Sequence, residues 1–292
     1  MSGAACARWG LCRRWAWPTR VAVGGLLGLL GLLGAAAGAW AAQADAPPDG
    51  LPGLLISYQV LPAQRPALRQ ALLGGARTRL QDLQASGVLT GFRLLFSRQA
   101  APAASAPSAP SAPSAPWDAL AVLQFSGAPQ AAAWADRPAG AAALLDAPAR
   151  ALLTAEHSVP VALLRRQQAE PTAASPVVLA VAYQALVPAA DYLAYADGYV
   201  LPQFDGWLRE GVLARYAVYA GGQGQGQDWS HLILLDYRSD AALAERDRVV
   251  AKVRAQLMQQ PAWLAISQRK TRVREERPSV LADDISHAQA TP

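Results

Sequence analysis

The hydrophobic pattern is clearest in the last third of the chain. VVLAVAYQAL, Val177 to Leu186, is a short apolar run and predicts a buried strand. A helix is expected over Ala189–Arg209. Pro202 lacks an N–H and collides with the preceding turn, so it should kink that helix, and Gly211 supplies its stop. Val212–Ala220 reads as the next strand, the run GGQGQGQ from Gly221 as a hairpin turn, and His231–Tyr237 as the returning strand. Ser239 and Asp240 open a second helix that runs to about Met258, with acids early and Lys252 and Arg254 late. Ser267–Glu276 is read as a closing strand. The predicted order is β-α-β-β-α-β.

The same order can be traced upstream. It comprises a strand at Leu54–Leu61, a helix at Pro66–Ala85, strands at Val88–Arg98 and Ala119–Phe125, an Ala/Pro/Gly-rich helix reaching Thr154, and a strand at Val159–Arg166. Local identities support a duplication. Tyr58-Gln59 and Tyr183-Gln184 lie 125 positions apart, and Gly87-Val88-Leu89 and Gly211-Val212-Leu213 lie 124 apart. Trp117, Leu120, Val122 and Phe125 are answered by Trp229, Leu232, Leu234 and Tyr237 at a spacing of 112. The spacing drops where APAASAPSAPSAPSAP, residues 101–116, interrupts the first copy. That tract is therefore expected to be an elongated loop inside one unit, kept extended by proline and serine, and not an interdomain linker. The expected organisation is 1–44 as an export segment, 45–168 as the first repeat, 169–175 as a link, 176–280 as the second repeat and 281–292 as a polar tail.

A β-α-β-β-α-β unit is the ferredoxin-like arrangement. Two in one chain resemble a fused version of the dimeric α+β barrel superfamily. The resemblance covers roughly residues 52–280 and rests on the Pro202 interruption, GVLARYAVY and DYRSDAALAERDRVVAKVR. It implies an α+β fold in which two four-stranded sheets face each other with helices outside, the two repeats pairing within one chain. Its motifs are structural and name no activity.

Composition changes the functional picture more than the fold. The chain carries 26 basic and 21 acidic residues, a formal net of +5. Arg8, Arg13, Arg14 and Arg20 precede an uncharged apolar run from Val21 to Ala39, and Ala42-Gln43-Ala44 fits a signal-peptidase site. The expected location is periplasmic or secreted; the alternative is an inner-membrane anchor facing the periplasm, because the run is long enough to span a bilayer uncut. Beyond residue 44 the balance is 22 basic to 21 acidic, which gives no electrostatic case for nucleic acid. Both cysteines, Cys6 and Cys12, fall in the same segment, so the exported chain would have no thiol chemistry.

Familiar catalytic motifs are missing: there is no P-loop, HExxH, GxSxG or CxxC. The three histidines, at 157, 231 and 287, share no metal-ligand spacing. Seven of the eight tyrosines fall between 183 and 237. Such a cluster suits either a core or the wall of a small-molecule pocket. Tyr183, Tyr216, His231 and Tyr237 are the candidate ligand-binding residues, expected to line a cavity between the sheets. The basic run Arg269, Lys270, Arg272, Arg274 and Arg277 reads as an edge strand protected by charge. The expectation is a non-catalytic exported barrel that binds an apolar or aromatic small molecule, without a cofactor and without a metal. The alternative implied by the resemblance is an oxidoreductase, either haem-dependent with His231 as a ligand or cofactor-free with His231 as a base.

Overall fold

The computed structural model describes residues 50–99, 117–137, 143–169, 177–221 and 228–287. The expected export segment, the serine–proline tract, the link except Ala169, and most of the Gly/Gln turn lie outside the described residues.

Strand β1 (Leu51–Val60) leads through α1 (Arg65–Ala71), a wider π turn at Leu72–Ala76 and α2 (Arg77–Ala85) to β2 (Leu89–Ser97) and β3 (Ala119–Phe125). Short helices α3 (Ala128–Ala135) and α4 (Ala147–Arg150) precede the long strand β4 (Leu153–Gln168). Then come β5 (Val177–Ala185), α5 (Ala189–Tyr195), a second π turn at Ala196–Val200, α6 (Leu201–Arg209), β6 (Leu213–Gly221) and β7 (His231–Tyr237). Helices α7 (Asp240–Ala244), α8 (Arg246–Leu257), α9 (Pro261–Ser267) and α10 (Lys270–Val273) are followed by β8 (Arg274–Glu276) and β9 (Val280–Asp284).

Every strand pairing is antiparallel. The order β4-β1-β3-β2 in the first half is matched by β6-β7-β5-β9 in the second. β4 pairs with β6, and β2 pairs with β9, so eight strands close a barrel, with β8 extending the β5 edge. This is the α+β barrel that the pattern led us to expect, and closure leaves few strand edges open.

Local sequence sets these elements. Pro202 lies at the start of α6, and the helix widens into a π turn just before it. A proline cannot donate to the fourth residue back, so the regular ladder is broken at that point. Gly87 and Gly211 take φ of 75° and 78°, a region that side chains disfavour, and each ends the helix before a strand. The Ser239 hydroxyl accepts from the Ala242 N–H at 3.1 Å, the predicted cap.

One prediction fails locally. Ser267–Glu276 is half helical, with strand only at Arg274–Glu276, and the strand inserted between β2 and β5 is β9, which beyond Val280 lies in the stretch read as a polar tail. Of the two acids in this stretch, Asp284 is inside and Asp283 stays partly exposed. Asp284 accepts from Arg93 Nε at 3.0 Å, and Asp236, fully buried, accepts from Arg93 Nη1 at 3.2 Å and Arg215 Nε at 2.7 Å. Asp284 also accepts from the Ser286 N–H at 3.0 Å. Two guanidinium groups thus neutralise two carboxylates on β2, β6, β7 and β9. Leu55, Leu95, Leu120, Val122, Val161, Val178, Ala180, Leu232, Leu234 and Ala282 share the same side of the strands and form an apolar core. Two further cores lie between each set of strands and its helices.

Candidate active site

The core between the second-half strands and helices differs from its counterpart in kind. It holds Tyr183, Tyr192, Tyr195, Tyr199, Phe204, Trp207, Tyr216, Tyr237 and Trp263. The corresponding first-half core is mainly leucine and alanine.

Register brings Tyr183 on β5 directly opposite His231 at the start of β7. Ser230, just before His231, fixes this corner. Its hydroxyl accepts from the Ala185 N–H at 2.7 Å and lies 2.9 Å from His231 Nδ1. From helix α5, Tyr192 stacks on the imidazole, with 3.7 Å between ring centroids and 22° between planes. Burial pulls the His231 pKa down to about 4, because the charged form is poorly solvated there. The ring is therefore neutral at ordinary pH. With Nδ1 at Ser230, Nε2 is the nitrogen left without a hydrogen bond among the described residues.

Arg274 reaches the same corner from β8. Its backbone pairs with Ala185, and its guanidinium lies 3.8 Å from the centroid of the Tyr183 ring and 5.5 Å from that of Tyr195. Arg274 makes no ion pair with a carboxylate among the described residues. Instead Nη1 is buried without a partner, as are the hydroxyls of Tyr192 and Tyr195. The guanidinium nonetheless acts on the Tyr192 hydroxyl through its charge and through a contact of hydrogen-bond character, both opposing the effect of burial. Burial pushes Tyr183 up to about 12, against the opposing pull of Arg274. Burial likewise raises Tyr192 and Tyr195, so all three phenols stay protonated. The ring contacts continue from Tyr195 to Tyr199 at 5.2 Å and from Tyr199 to Trp263 at 4.9 Å.

The four predicted site residues are thus divided. Tyr183 and His231 meet. Tyr216 pairs with Leu235, Tyr237 with Leu213, both towards the other end of the strands. The Tyr216 hydroxyl donates to Asp205 at 2.9 Å and also contacts Gln167 at 3.1 Å. The expectation that these residues line a space between the sheets is corrected: Tyr183, Tyr216 and Tyr237 belong to the core under the helices. Strand alternation decides this, since Tyr219 and Leu232 share the apolar core on the other side. His157 and His287 are exposed. Among the described residues, no group of three or more His, Cys, Asp or Glu could hold a metal ion. Tyr192 and Tyr195 were legible as members of the tyrosine cluster; Arg274 was hidden in a basic run.

A cavity of about 170 Å³ lies in the first half, lined by Ala71, Gly75, Ala76, Arg79, Leu144, Leu145 and Asp146. Ala71 and Gly75 stand 124 positions before Tyr195 and Tyr199, so small residues leave open there what tyrosines fill in the second half.

No family model and no curated protein matches the chain. Solved structures of similar fold include an anthrone oxidase-like protein, with 11% identity over 82% of this chain and 94% of the other and a TM-score of 0.49. A haem-binding protein from Thermus thermophilus matches with 11% identity over 80% and 91% and a TM-score of 0.43. A mutant chlorite dismutase from Candidatus Nitrospira defluvii, in complex with cyanide, matches with 10% identity over 83% and 95% and a TM-score of 0.46. The likeness is one of fold. It corrects the expectation of no cofactor, because a protein identified as haem-binding is among these structures. No helix among the described residues is long and apolar enough to cross a membrane.

The corner at His231 can be tested against haem directly. The donor suits it: a neutral imidazole positioned through Nδ1, with Nε2 uncommitted. The packing does not, because Tyr192 covers the imidazole and Tyr192, Tyr195 and Tyr199 are all buried. The side chains as packed do not seat a macrocycle, and no reaction step is derived through one.

Proposed function

We propose that the protein is an oxidoreductase acting on an electron-rich aromatic small molecule at the His231 corner of the second half. The observation that carries this reading is a buried, neutral imidazole with one uncommitted nitrogen, set among aromatic walls. Such a nitrogen accepts the hydrogen bond of a substrate hydroxyl and so raises electron density on its oxygen. At a pKa near 4 it is too weak a base to remove a phenolic proton outright, so proton loss accompanies oxidation by dioxygen, which takes up the electrons and the proton, and does not precede it. Tyr183 and Tyr192 pack around the imidazole and fix its place. Ser230 holds the imidazole.

The test is oxygen uptake and product analysis with a panel of anthrones and phenols, with and without added haem, for the wild type and His231→Ala. Turnover by the wild type that is lost in a folded His231→Ala supports the reading. Turnover in neither protein, or equal turnover in both, overturns it.

We also read the chain as a tandem duplication exported to the periplasm or beyond, its two copies pairing within one chain. Matching strand order and the constant spacing of 124 between α1 and α5, α2 and α6, and β2 and β6 support the duplication. Sequencing the mature N-terminus tests export: a start at Asp45 agrees, and an intact Met1 contradicts cleavage.

A further inference from the structure

The cavity in the first half lies where the second half carries rings. Its helix wall is Ala71, Gly75, Ala76 and Arg79, and its cover is Leu144, Leu145 and Asp146. The positions 124 later on the matching helix are Tyr195, Tyr199, Val200 and Gln203. There the Tyr195 and Tyr199 rings meet at 5.2 Å, and Trp263 of α9 stacks on Tyr199 at 4.9 Å. The π turn beside them is covered as well: a methyl group on Gly198 would run into Ile266 Cδ1 at 2.7 Å. At Gly74 and Gly75 of the first-half turn, a methyl group would meet nothing within 4 Å among the described residues. The first half thus keeps the helix and its wide turn and lacks the rings that close over them.

The space left is about 170 Å³. An apolar space of about 150 Å³ is enough to take benzene. Ala71, Ala76, Leu144 and Leu145 give it apolar walls, and the polar groups have separate tasks. Arg79 Nη1 donates to the Ala143 carbonyl at 2.6 Å and ties the cover to the helix. Asp146 Oδ1 accepts from the Ala149 N–H at 2.9 Å, while Oδ2 makes no hydrogen bond among the described residues. A carboxylate oxygen only accepts, so the group it suits on a ligand is a donor.

We propose that this cavity binds a single-ring phenol. The ligand's ring takes the place that tyrosine rings fill in the second half, and its hydroxyl donates to Asp146. This site goes beyond the oxidoreductase reading and does not rest on it; it is a site of binding alone, and no reaction step belongs to it.

The experiment is an NMR titration of the purified full chain with p-cresol, which is the tyrosine side chain as a free molecule, and with toluene, which has the same ring and methyl group and no hydroxyl. The expected result is saturable binding of p-cresol, tighter than toluene by about threefold or more. Asp146→Asn keeps the helix cap and should lose most of that advantage. Gly75→Tyr supplies the ring from the chain itself, and Ala71→Leu takes up part of the space; each should weaken p-cresol by about tenfold or more. Gly75→Tyr should fold, because Gly75 has no positive φ and a Cβ there meets nothing; should it fail to, Ala71→Leu decides alone. His231→Ala should bind p-cresol as the wild type does, which separates this site from the corner. No saturable binding by the wild type, equal binding of p-cresol and toluene, unchanged binding in a folded Gly75→Tyr or in Ala71→Leu, or binding lost in a folded His231→Ala overturns the proposal. Turnover at His231 is measured separately, and either reading can fail while the other stands.

Discussion

The two halves of the barrel share a frame and differ in what fills it. Each has a helix that opens into a π turn, at Leu72–Ala76 and at Ala196–Val200, and each ends that helix on a positive-φ glycine. Each has a register shift at the start of the following strand, between Leu89 and Gly91 and between Leu213 and Arg215. Each ties off the first strand from the residue before the third. The Val60 N–H donates to Asp118 at 2.9 Å, and the Ala185 N–H donates to Ser230 at 2.7 Å. Against this common frame, Leu68, Ala71, Gly75 and Ala119 of the first half stand where the second half has Tyr192, Tyr195, Tyr199 and His231. Asp118 binds Arg65, whereas Ser230 holds an imidazole. The lesson is that the frame tolerates either filling. The rings of the second half, and Arg274 held among them without a carboxylate, are therefore a choice the fold does not require.

The largest effect should come from the contact both halves share. Asp236→Ala leaves Arg93 and Arg215 sharing the single carboxylate of Asp284 and should cost about 3–5 kcal/mol in urea denaturation, unfolding both halves together. A loss below about 1 kcal/mol would mean the ion cluster does not join them.

The second effect separates the halves by pH. The unfolded chain protonates His231 near the ordinary value of 6.5, while the folded chain resists until about 4. Its contribution is therefore complete above about pH 6.5 and is lost as the pH falls towards 4, on the order of 3 kcal/mol in all. His231→Gln should flatten stability over that window, and Ala119 gives the first half nothing equivalent. Arg93 and Ser286 hold Asp284 below the usual carboxylate range despite its burial. Its contribution is present above the ordinary aspartate pKa and disappears only at more acid pH, so Asp284→Asn should alter the stability profile below about pH 4 and leave the histidine window unchanged.

Smaller effects follow from packing. Gly206 lies on α6 against α8, and a methyl group there would run into Val253 Cγ1. Gly206→Ala should cost about 1–3 kcal/mol, whereas the exposed Asp82, 124 positions earlier, should accept alanine within about 0.5 kcal/mol. The smallest predicted difference is between Gly87→Ala and Gly211→Ala. Each should cost about 1 kcal/mol through backbone strain alone, because a Cβ meets nothing within 4 Å at either position. Unequal costs would show that the two turns are not equivalent.

How far this could be read from the sequence depends on the kind of signal. The strand His231–Tyr237, the Pro202 interruption and the Ser239 cap depend on neighbours in the chain, and their residues announce them. β9 escaped because Val280, Leu281 and Ala282 are too few to stand out and are followed by Asp283 and Asp284, of which Asp284 is neutralised by arginines from distant strands. The site was half legible for the same reason. A tyrosine-rich stretch is visible, but which tyrosines share a corner is set by register. Tyr183 meets His231 across 48 positions, while Tyr216, only 15 positions from His231, faces Asp205 instead. Arg274 sat among other basic residues, and nothing local distinguishes a cation that turns inward.

The central claim is that the second half carries the chemistry and the first supplies the frame. The most direct measurement is aromatic-substrate turnover in two variants, Tyr192→Leu, which gives the second half the first half's residue, and Tyr58→Phe, which alters the first half's counterpart of Tyr183. The account predicts that Tyr192→Leu folds and loses turnover while Tyr58→Phe keeps it. Turnover retained in Tyr192→Leu, or lost equally in both, would contradict it.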